Sequence, residues 1–231
     1  MASANPKTLW KDESGAALLE FTAAAFTFFL VVFGVVEFSY AFFQWNAATK
    51  AVQLGARLAA VSGPVADGLL TRTLMEGGAL PGQVIDPKVS SAANFDFICD
   101  GVRSTCYGSG GTRNLDNLKT IVFGRCGGDT GDSCTVGGVR DQCNYTSSPR
   151  NIGMCNIFTK LTSTDNVEIR YQYTGLGYAG RPGGAVPTIT VSIVNLNFDF
   201  VLLGAFLGNS IPMPGFATTV TGEDLNVAWS G

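Results

Sequence analysis

The stretch Gly15–Phe21 reads Gly-Ala-Ala-Leu-Leu-Glu-Phe and joins a polar N-terminal leader to a long apolar run. From Ala16 to Trp45, the charged residues are Glu20 and Glu37 alone. About 20 helical residues, each rising about 1.5 Å, cross a hydrocarbon core of about 30 Å, so the run is long enough to span a membrane once. An unpaired carboxylate at the edge of hydrocarbon costs about 2.5 kcal/mol or more, which makes Glu20 unusual in a simple anchor.

The helical pattern continues beyond the apolar run. Apolar residues recur every three or four positions as far as Val61, beside a stripe of polar residues. Ser62-Gly63-Pro64 then ends the helix, because glycine and proline both interrupt helices. The pattern predicts one helix from Ala16 to Val61, about 70 Å long, whose transmembrane part covers about residues 18–42. A second short helix is predicted from Pro64 to Glu76.

Charges and cysteines predict how the chain is oriented. Lys7 and Lys11 precede the apolar run and aromatic residues cluster at its other end, so the positive-inside rule places the N-terminus in the cytoplasm. The cysteines are even in number and lack C-x-x-C spacing. This pattern favours up to three disulfides outside the cytoplasm, with the pairing open; structural zinc and free buried thiols are the alternatives. The cysteines are Cys99, Cys106, Cys126, Cys134, Cys143 and Cys155.

Strand patterns follow the helix. The sequence predicts an α+β fold in which one face of an antiparallel sheet is covered by the long N-terminal helix, with a disulfide-rich loop region at about residues 95–160. The apolar run Phe198–Leu207 is too short to span a membrane. It is expected to be core or a hairpin near the lipid surface, with a docking patch as the alternative. The predicted strands are Phe95–Ile98, Thr120–Phe123, Val167–Tyr173, Thr188–Phe200 and Ala217–Thr221.

The composition argues against catalysis and nucleic-acid binding. The chain has no histidine and a net charge of −3, so the commonest general base and a basic surface are both missing. Glu223 and Asp224 are a poor carboxylate pair for a glycosidase, because adjacent residues point to opposite faces of an extended segment. Asp129 and Asp132 offer oxygens to Ca²⁺, but the closing glutamate of a calcium loop is absent, so a solvated turn is the default. The sequence predicts no enzyme activity and no cofactor.

Gly15 followed by Ala-Ala-Leu-Leu-Glu-Phe resembles the processing site of type IV pilin-like proteins. More narrowly, it resembles the TadE-like pseudopilins of Tad (Flp, type IVc) pilus systems, as do Glu37-Phe38 and Gly55–Arg57. The resemblance implies that a prepilin peptidase removes residues 1–15 on the cytoplasmic face. Ala16 then becomes the new N-terminus.

In that family the fifth residue of the mature chain is a glutamate followed by an aromatic residue, here Glu20 and Phe21. Physically, the carboxylate of Glu20 can neutralise the new α-amine of Ala16 on its own or a neighbouring subunit. Snorkelling of Glu20 to the inner headgroups is the alternative. Glu37 lies 17 residues later, about 25 Å along the helix, and faces away from Glu20. We expect Glu37 to be exposed at the outer interface, with a contact to a partner pseudopilin as the alternative.

The resemblance implies a minor pseudopilin that takes part in the initiation or tip complex of a Tad pilus and supports surface adherence. The leader (1–15) is followed by the helix (16–62) and an extracytoplasmic domain (63–231), too large for the main pilin. Expected partners are the prepilin peptidase, other pseudopilins, the major Flp pilin, the inner-membrane assembly platform and lipid, but no nucleic acid. The expected location is the bacterial inner membrane, single-pass, with the domain in the periplasm or at the pilus tip.

Other readings of the same sequence remain open. One is a membrane-tethered adhesin or ligand-binding envelope protein without a filament role. For the N-terminus, the alternatives are a secretory signal peptide cut after Ala41, at Ser39-Tyr40-Ala41, and a simple uncleaved anchor.

Overall fold

A computed structural model describes residues 13–69, 71, 75, 78–86, 95–125, 140–143, 152–181, 186–202, 204, 208 and 210–223. Its helices are α1 (Glu13–Val61), α2 (Leu115–Phe123) and α3 (Met154–Ile157), and a 3-10 helix covers Thr164–Asn166. Its strands are β1 (Asp96–Asp100), β2 (Tyr107–Gly108), β3 (Val167–Gln172), β4 (Thr188–Ile193), β5 (Asn197–Asp199), β6 (Ser210–Pro212) and β7 (Phe216–Thr221).

Helix α1 confirms the predicted long N-terminal helix. Its first part is long and apolar enough to cross a membrane once, and none of its most apolar 18-residue window is buried. It ends where predicted, since Val61 is its last residue and the amide of Ser62 donates to the carbonyl of Leu58 at 2.9 Å. The apolar part of α1 therefore has the surface expected of a single-pass membrane helix.

The chain divides into two compact units. The N-terminal unit contains Met1–Phe43 and Asn197–Ile211, and the sheet unit contains Gln44–Leu196 and Pro212–Gly231. Within the described residues, the sheet unit contains a five-stranded antiparallel sheet in the order β2-β1-β3-β4-β7.

The core of the sheet unit lies between the sheet and the last part of α1. Every second residue of β3 and β4 is buried, so alternate side chains of these strands face inward. Small residues of α1 (Ala48, Ala51, Ala56 and Ala59) belong to the same buried cluster and allow close packing. The prediction that the helix covers one face of the sheet is confirmed. The inward strand residues are Phe97, Cys99, Val167, Ile169, Tyr171, Ile189, Val191 and Ile193.

Gly55 explains how closely α1 can approach α3. A Cβ atom at this position would lie 2.5 Å from the sulfur of Met154, which is fully buried. Any larger residue would have to push the methionine aside. The glycine that contributed to the family resemblance is therefore a packing requirement of the sheet unit.

The predicted strand Thr120–Phe123 is wrong, because these residues end helix α2. The side chain of Asn114 caps the helix by accepting from the amide of Asn117 at 3.0 Å. Leu118, Ile121 and Val122 are buried, with the three- and four-residue spacing of one helix face. Capping and burial outweigh the strand preference of the β-branched residues.

The predicted strand Thr188–Phe200 is two strands in different sheets. β4 ends at Ile193, and β5 pairs with β6. Between them, Asn195 has φ 56°, a left-handed conformation that asparagine tolerates better than most residues. Its carbonyl accepts from the side chain of Asn166 at 3.1 Å, which holds the bend.

The predicted helix Pro64–Glu76 is wrong for residues 64–69, which are not helical. Ala66 bridges to Arg113, and the amide of Asp67 donates to the carbonyl of Thr112 at 3.1 Å. These backbone groups therefore bond to a distant segment instead of to the preceding helical turn.

Disulfides are confirmed for four of the cysteines. In the described part of the chain, Cys99 bonds to Cys106 and Cys143 bonds to Cys155. The first bond ties β1 to the segment that leads into β2. Cys126 and Cys134 lie outside the described residues, so their pairing stays a prediction.

Buried tyrosine predicts a loss of stability at alkaline pH. The hydroxyl of Tyr171 accepts from the amide of Val65 at 3.0 Å, and burial raises the pKa of Tyr171 above its usual value. Above pH of about 10, the unfolded chain releases this proton while the folded chain keeps it. The stabilisation linked to this proton is therefore fully present below that pH. It is lost as the pH rises through the pKa that Tyr171 has in the folded chain. Burial also raises the pKa of Tyr173, which adds to the same trend.

We expect the melting temperature of the full chain in detergent to fall between pH 9 and 11. At pH 8, Tyr171→Phe should be less stable than the unsubstituted chain by about 1 kcal/mol and should melt at a lower temperature. The reason is that the amide of Val65 loses its hydrogen-bond acceptor. Its decline with pH should be shallower than that of the unsubstituted chain. Near-ultraviolet circular dichroism measures both, and equal slopes for the two chains would contradict the assignment.

Candidate functional site

The first turns of α1 present the predicted processing and assembly residues on an open surface. Leu18, Leu19 and Phe21 are all largely exposed, and Phe21 is 73% exposed. A Cβ atom added to Gly15 would meet nothing within 4 Å. Glycine inside a helix costs about 1 kcal/mol relative to alanine, and no packing within the described residues requires it here. The packing of the described residues therefore places no size limit on a side chain at this position.

Glu20 lies on the same surface and is exposed. Among the described residues it has neither an ion-pair nor a hydrogen-bond partner. A carboxylate in this setting can accept charge-assisted hydrogen bonds from an ammonium group. A cation is thus the chemical complement of this part of the helix.

Three hydroxyl groups along the apolar helix donate to carbonyl groups of its own backbone. The hydroxyl of Thr22 donates to Leu18 and Leu19 carbonyls at 3.0 and 2.9 Å. Those of Thr27 and Ser39 donate to carbonyls four residues earlier, at 2.9 and 2.8 Å. Such bonds let hydroxyl groups lie in an apolar surrounding. They leave the carboxylates as the charged groups that need a partner on this stretch.

Glu37 is buried, so the expectation of an exposed carboxylate is wrong. Only 4% of Glu37 is exposed, and its Oε1 atom accepts from the backbone amide of Leu202. One turn further on, the ring of Tyr40 packs against Phe198, with centroids 6.1 Å apart. The described residues of the segment 197–211, which contains β5 and the start of β6, are called the 197–211 hairpin; Phe198 and Leu202 of this hairpin contact this side of the helix.

The sequence contained only a partial signal for this contact. Glu37 and Leu202 are 165 positions apart, and neither local pattern indicates the other. The sequence predicts core or a hairpin for the apolar run Phe198–Leu207. Among the described residues, β5 at the start of this run pairs with β6, which follows the run. Glu20 and Glu37 are not brought together, as their spacing on one helix predicts.

No metal centre is present among the described residues. They contain no group of three or more cysteine, aspartate or glutamate side chains that could hold an ion. The calcium candidates Asp129 and Asp132 lie outside the described residues.

The bidentate pair of Arg170 and Asp96, at 2.8 and 2.6 Å, joins β3 to β1, and this bond raises the pKa of the arginine.

Comparison with known proteins identifies the N-terminal segment. Residues 15–57 match the family model described as TadE-like protein, which covers less than one fifth of the 231-residue chain. No curated protein and no solved structure matches the chain. The matched segment begins at Gly15, contains Glu20 and Glu37, and ends just beyond Gly55. Over this segment the chain is similar to the TadE-like family.

Proposed function

We propose that the chain is a minor pseudopilin that takes part in the assembly of a Tad pilus, as an initiating or tip subunit without enzyme activity. One observation carries the proposal. Glu20 is an exposed carboxylate without a partner in the described residues, on an apolar helix and inside the TadE-like match. An isolated membrane anchor would gain nothing from such a group, whereas an assembling subunit would use it to recognise another.

The mechanism starts with removal of the leader by a prepilin peptidase. Cleavage after Gly15 gives Ala16 a free ammonium group at the start of α1. Ala16 and Glu20 are four residues apart, so they lie on the same face of the helix. In the membrane, the ammonium group of an incoming subunit meets the Glu20 carboxylate of a subunit already in the filament. Pairing the two charges lowers the cost of holding each near hydrocarbon and fixes the axial register.

The proposed topology places the N-terminus in the cytoplasm and the sheet unit in the periplasm. Lys7 and Lys11 precede the apolar helix, which supports this direction. The bonds Cys99–Cys106 and Cys143–Cys155 also support it, because disulfides persist in oxidising compartments. Partners in this scheme are other pseudopilins, the major pilin and the assembly platform of the inner membrane. Display of the domain at a pilus tip would support adherence.

Processing provides the test. In cells with the rest of the Tad machinery, the mature chain should begin at Ala16, so that 231 minus 15 leaves 216 residues. Gly15→Leu should leave the precursor uncut, although an added side chain has free space at this position. Gly34→Ala is the matched control, since Gly34 has equally open surroundings on the same helix, and it should be cut normally.

The mass of the intact protein and its N-terminal sequence measure the outcome. A chain that keeps Met1 would identify an uncleaved anchor, and a chain that begins at Phe42 would identify a secreted protein. Either result would overturn the pseudopilin proposal.

A further inference from the structure

We propose that the 197–211 hairpin is a membrane-surface element whose apolar side chains enter the outer interface of a phospholipid bilayer. The inference rests on α1 crossing that bilayer, as the proposed function requires. It assigns a ligand, the lipid surface, to a part of the chain that lies outside the TadE-like match.

Contacts within the N-terminal unit fix the depth of the hairpin. The amide of Leu202 donates to Glu37, and Phe198 packs on Tyr40. Glu37 lies 17 residues after Glu20, about 25 Å along the helix axis. Since the hydrocarbon core is about 30 Å thick, a helix with Glu20 near the inner boundary has Glu37 close to the outer one. The hairpin is held at that level.

The hairpin exposes apolar and polar residues together. Val201 is 64% exposed, and Leu202 and Ile211 are also exposed. The neighbouring exposed polar residues are Asn197, Asp199 and Ser210. An amphipathic element of this kind favours the boundary between acyl chains and headgroups, to a depth of about 5–10 Å.

Lipid is favoured over a protein partner because the helix exposes apolar rings at the same level as the hairpin. Phe38, Phe42 and Phe43 are exposed on α1 at the same level as Glu37 and Tyr40, the residues that hold the hairpin. A bilayer that surrounds α1 covers these rings and the hairpin side chains at once.

The chemistry of the hairpin also fits an interfacial position. A two-stranded hairpin is marginally stable in water by itself, so β5 and β6 gain from packing against both α1 and lipid. The hairpin cannot lie at the centre of the hydrocarbon core, because the backbone groups at its strand edges would lack hydrogen-bond partners there. The bond from Leu202 gives the buried Glu37 carboxylate a backbone donor, which lowers its cost at the membrane boundary.

Photo-crosslinking of the full chain in phosphatidylethanolamine–phosphatidylglycerol vesicles tests the inference. p-Benzoylphenylalanine replaces one residue at a time: Phe42 on the helix, Val201 and Ile211 on the hairpin, or Val102 as the matched control. Val102 is 69% exposed and belongs to the sheet unit. Mass spectrometry then counts lipid adducts. We expect adducts at positions 42, 201 and 211, with yields at least about tenfold higher at 201 than at 102.

Each other outcome overturns a defined part of the scheme. Adducts at 42 but not at 201 and 211 would refute the membrane-surface hairpin alone. Crosslinks from 201 to a second copy of the chain would replace lipid by a protein partner. Equal lipid yields at 201 and 102 would show that labelling does not depend on the hairpin. Absence of adducts at 42 would refute the membrane-spanning helix and with it the proposed function.

Discussion

Replacing Glu20 by leucine should abolish pilus formation while the chain is still cut after Gly15 and still folds. Glu20 is exposed and has no partner in the described residues, so the substitution removes no contact that the structure contains. It does remove the anion that would receive the ammonium group of Ala16 from another subunit. An ammonium group left unpaired near hydrocarbon costs about 2.5 kcal/mol or more, enough to reduce incorporation by roughly two orders of magnitude.

A double variant provides the matched control. Leu19→Glu combined with Glu20→Leu keeps the composition and moves the carboxylate by one position, about 100° around the helix. Leu19 is exposed, so the helix accommodates the change. We expect normal processing and no pili from this variant. Electron microscopy counts pili, and the mass of the mature chain reports cleavage.

Normal piliation in Glu20→Leu would contradict the assembly role. A tethered adhesin or another anchored envelope protein needs no charge at this position, so either would tolerate the change. Piliation in the double variant but not in Glu20→Leu would mean that a carboxylate is required without positional specificity, which favours snorkelling over pairing between subunits.

Long-period patterns in the sequence predicted the architecture well. The apolar run and its continuation gave the helix to Val61, because a repeat of three to four residues persists over many turns. Alternation over Val167–Tyr173 gave β3, since both faces of that strand have distinct surroundings. Local β-branched runs were less reliable. Thr120–Phe123 are helical because Asn114 caps the helix that they end. Asn195 interrupts the run from Thr188 to Phe200.

The residues of the candidate site also differ in whether a local sequence pattern predicts them. Gly15 and Glu20 could be selected from the sequence, because an odd residue in an apolar run is a local signal. The structure adds that both have open surroundings. The burial of Glu37 could not be predicted, because it depends on Leu202, which reaches it only through the tertiary fold. A carboxylate in a membrane helix is therefore ambiguous until its surroundings are known.

Gly101→Ala should strongly destabilise the sheet unit. Gly101 directly follows β1, and a Cβ atom there would lie 2.1 Å from the carbonyl carbon and oxygen of Thr164. Both are backbone atoms of the 3-10 helix that leads into β3, so no side chain can move aside. Overpacking against backbone must shift β1 against β3, and we expect a loss of about 3 kcal/mol.

Gly215→Ala is the control in the same unit, because the nearest atom to an added Cβ there is the Ile193 carbonyl oxygen at 3.8 Å. For a chain of this size, a loss of about 3 kcal/mol lowers the melting temperature by about 10 °C. Gly215→Ala should melt within about 2 °C of the unsubstituted chain, because ordinary contact distances require no rearrangement. Because β1 also carries Cys99, we expect Gly101→Ala to form the Cys99–Cys106 bond less completely, which a non-reducing peptide map measures. Equal melting of the two variants would mean that β1 and the 3-10 helix do not approach so closely, and the register of the sheet at this edge would be wrong.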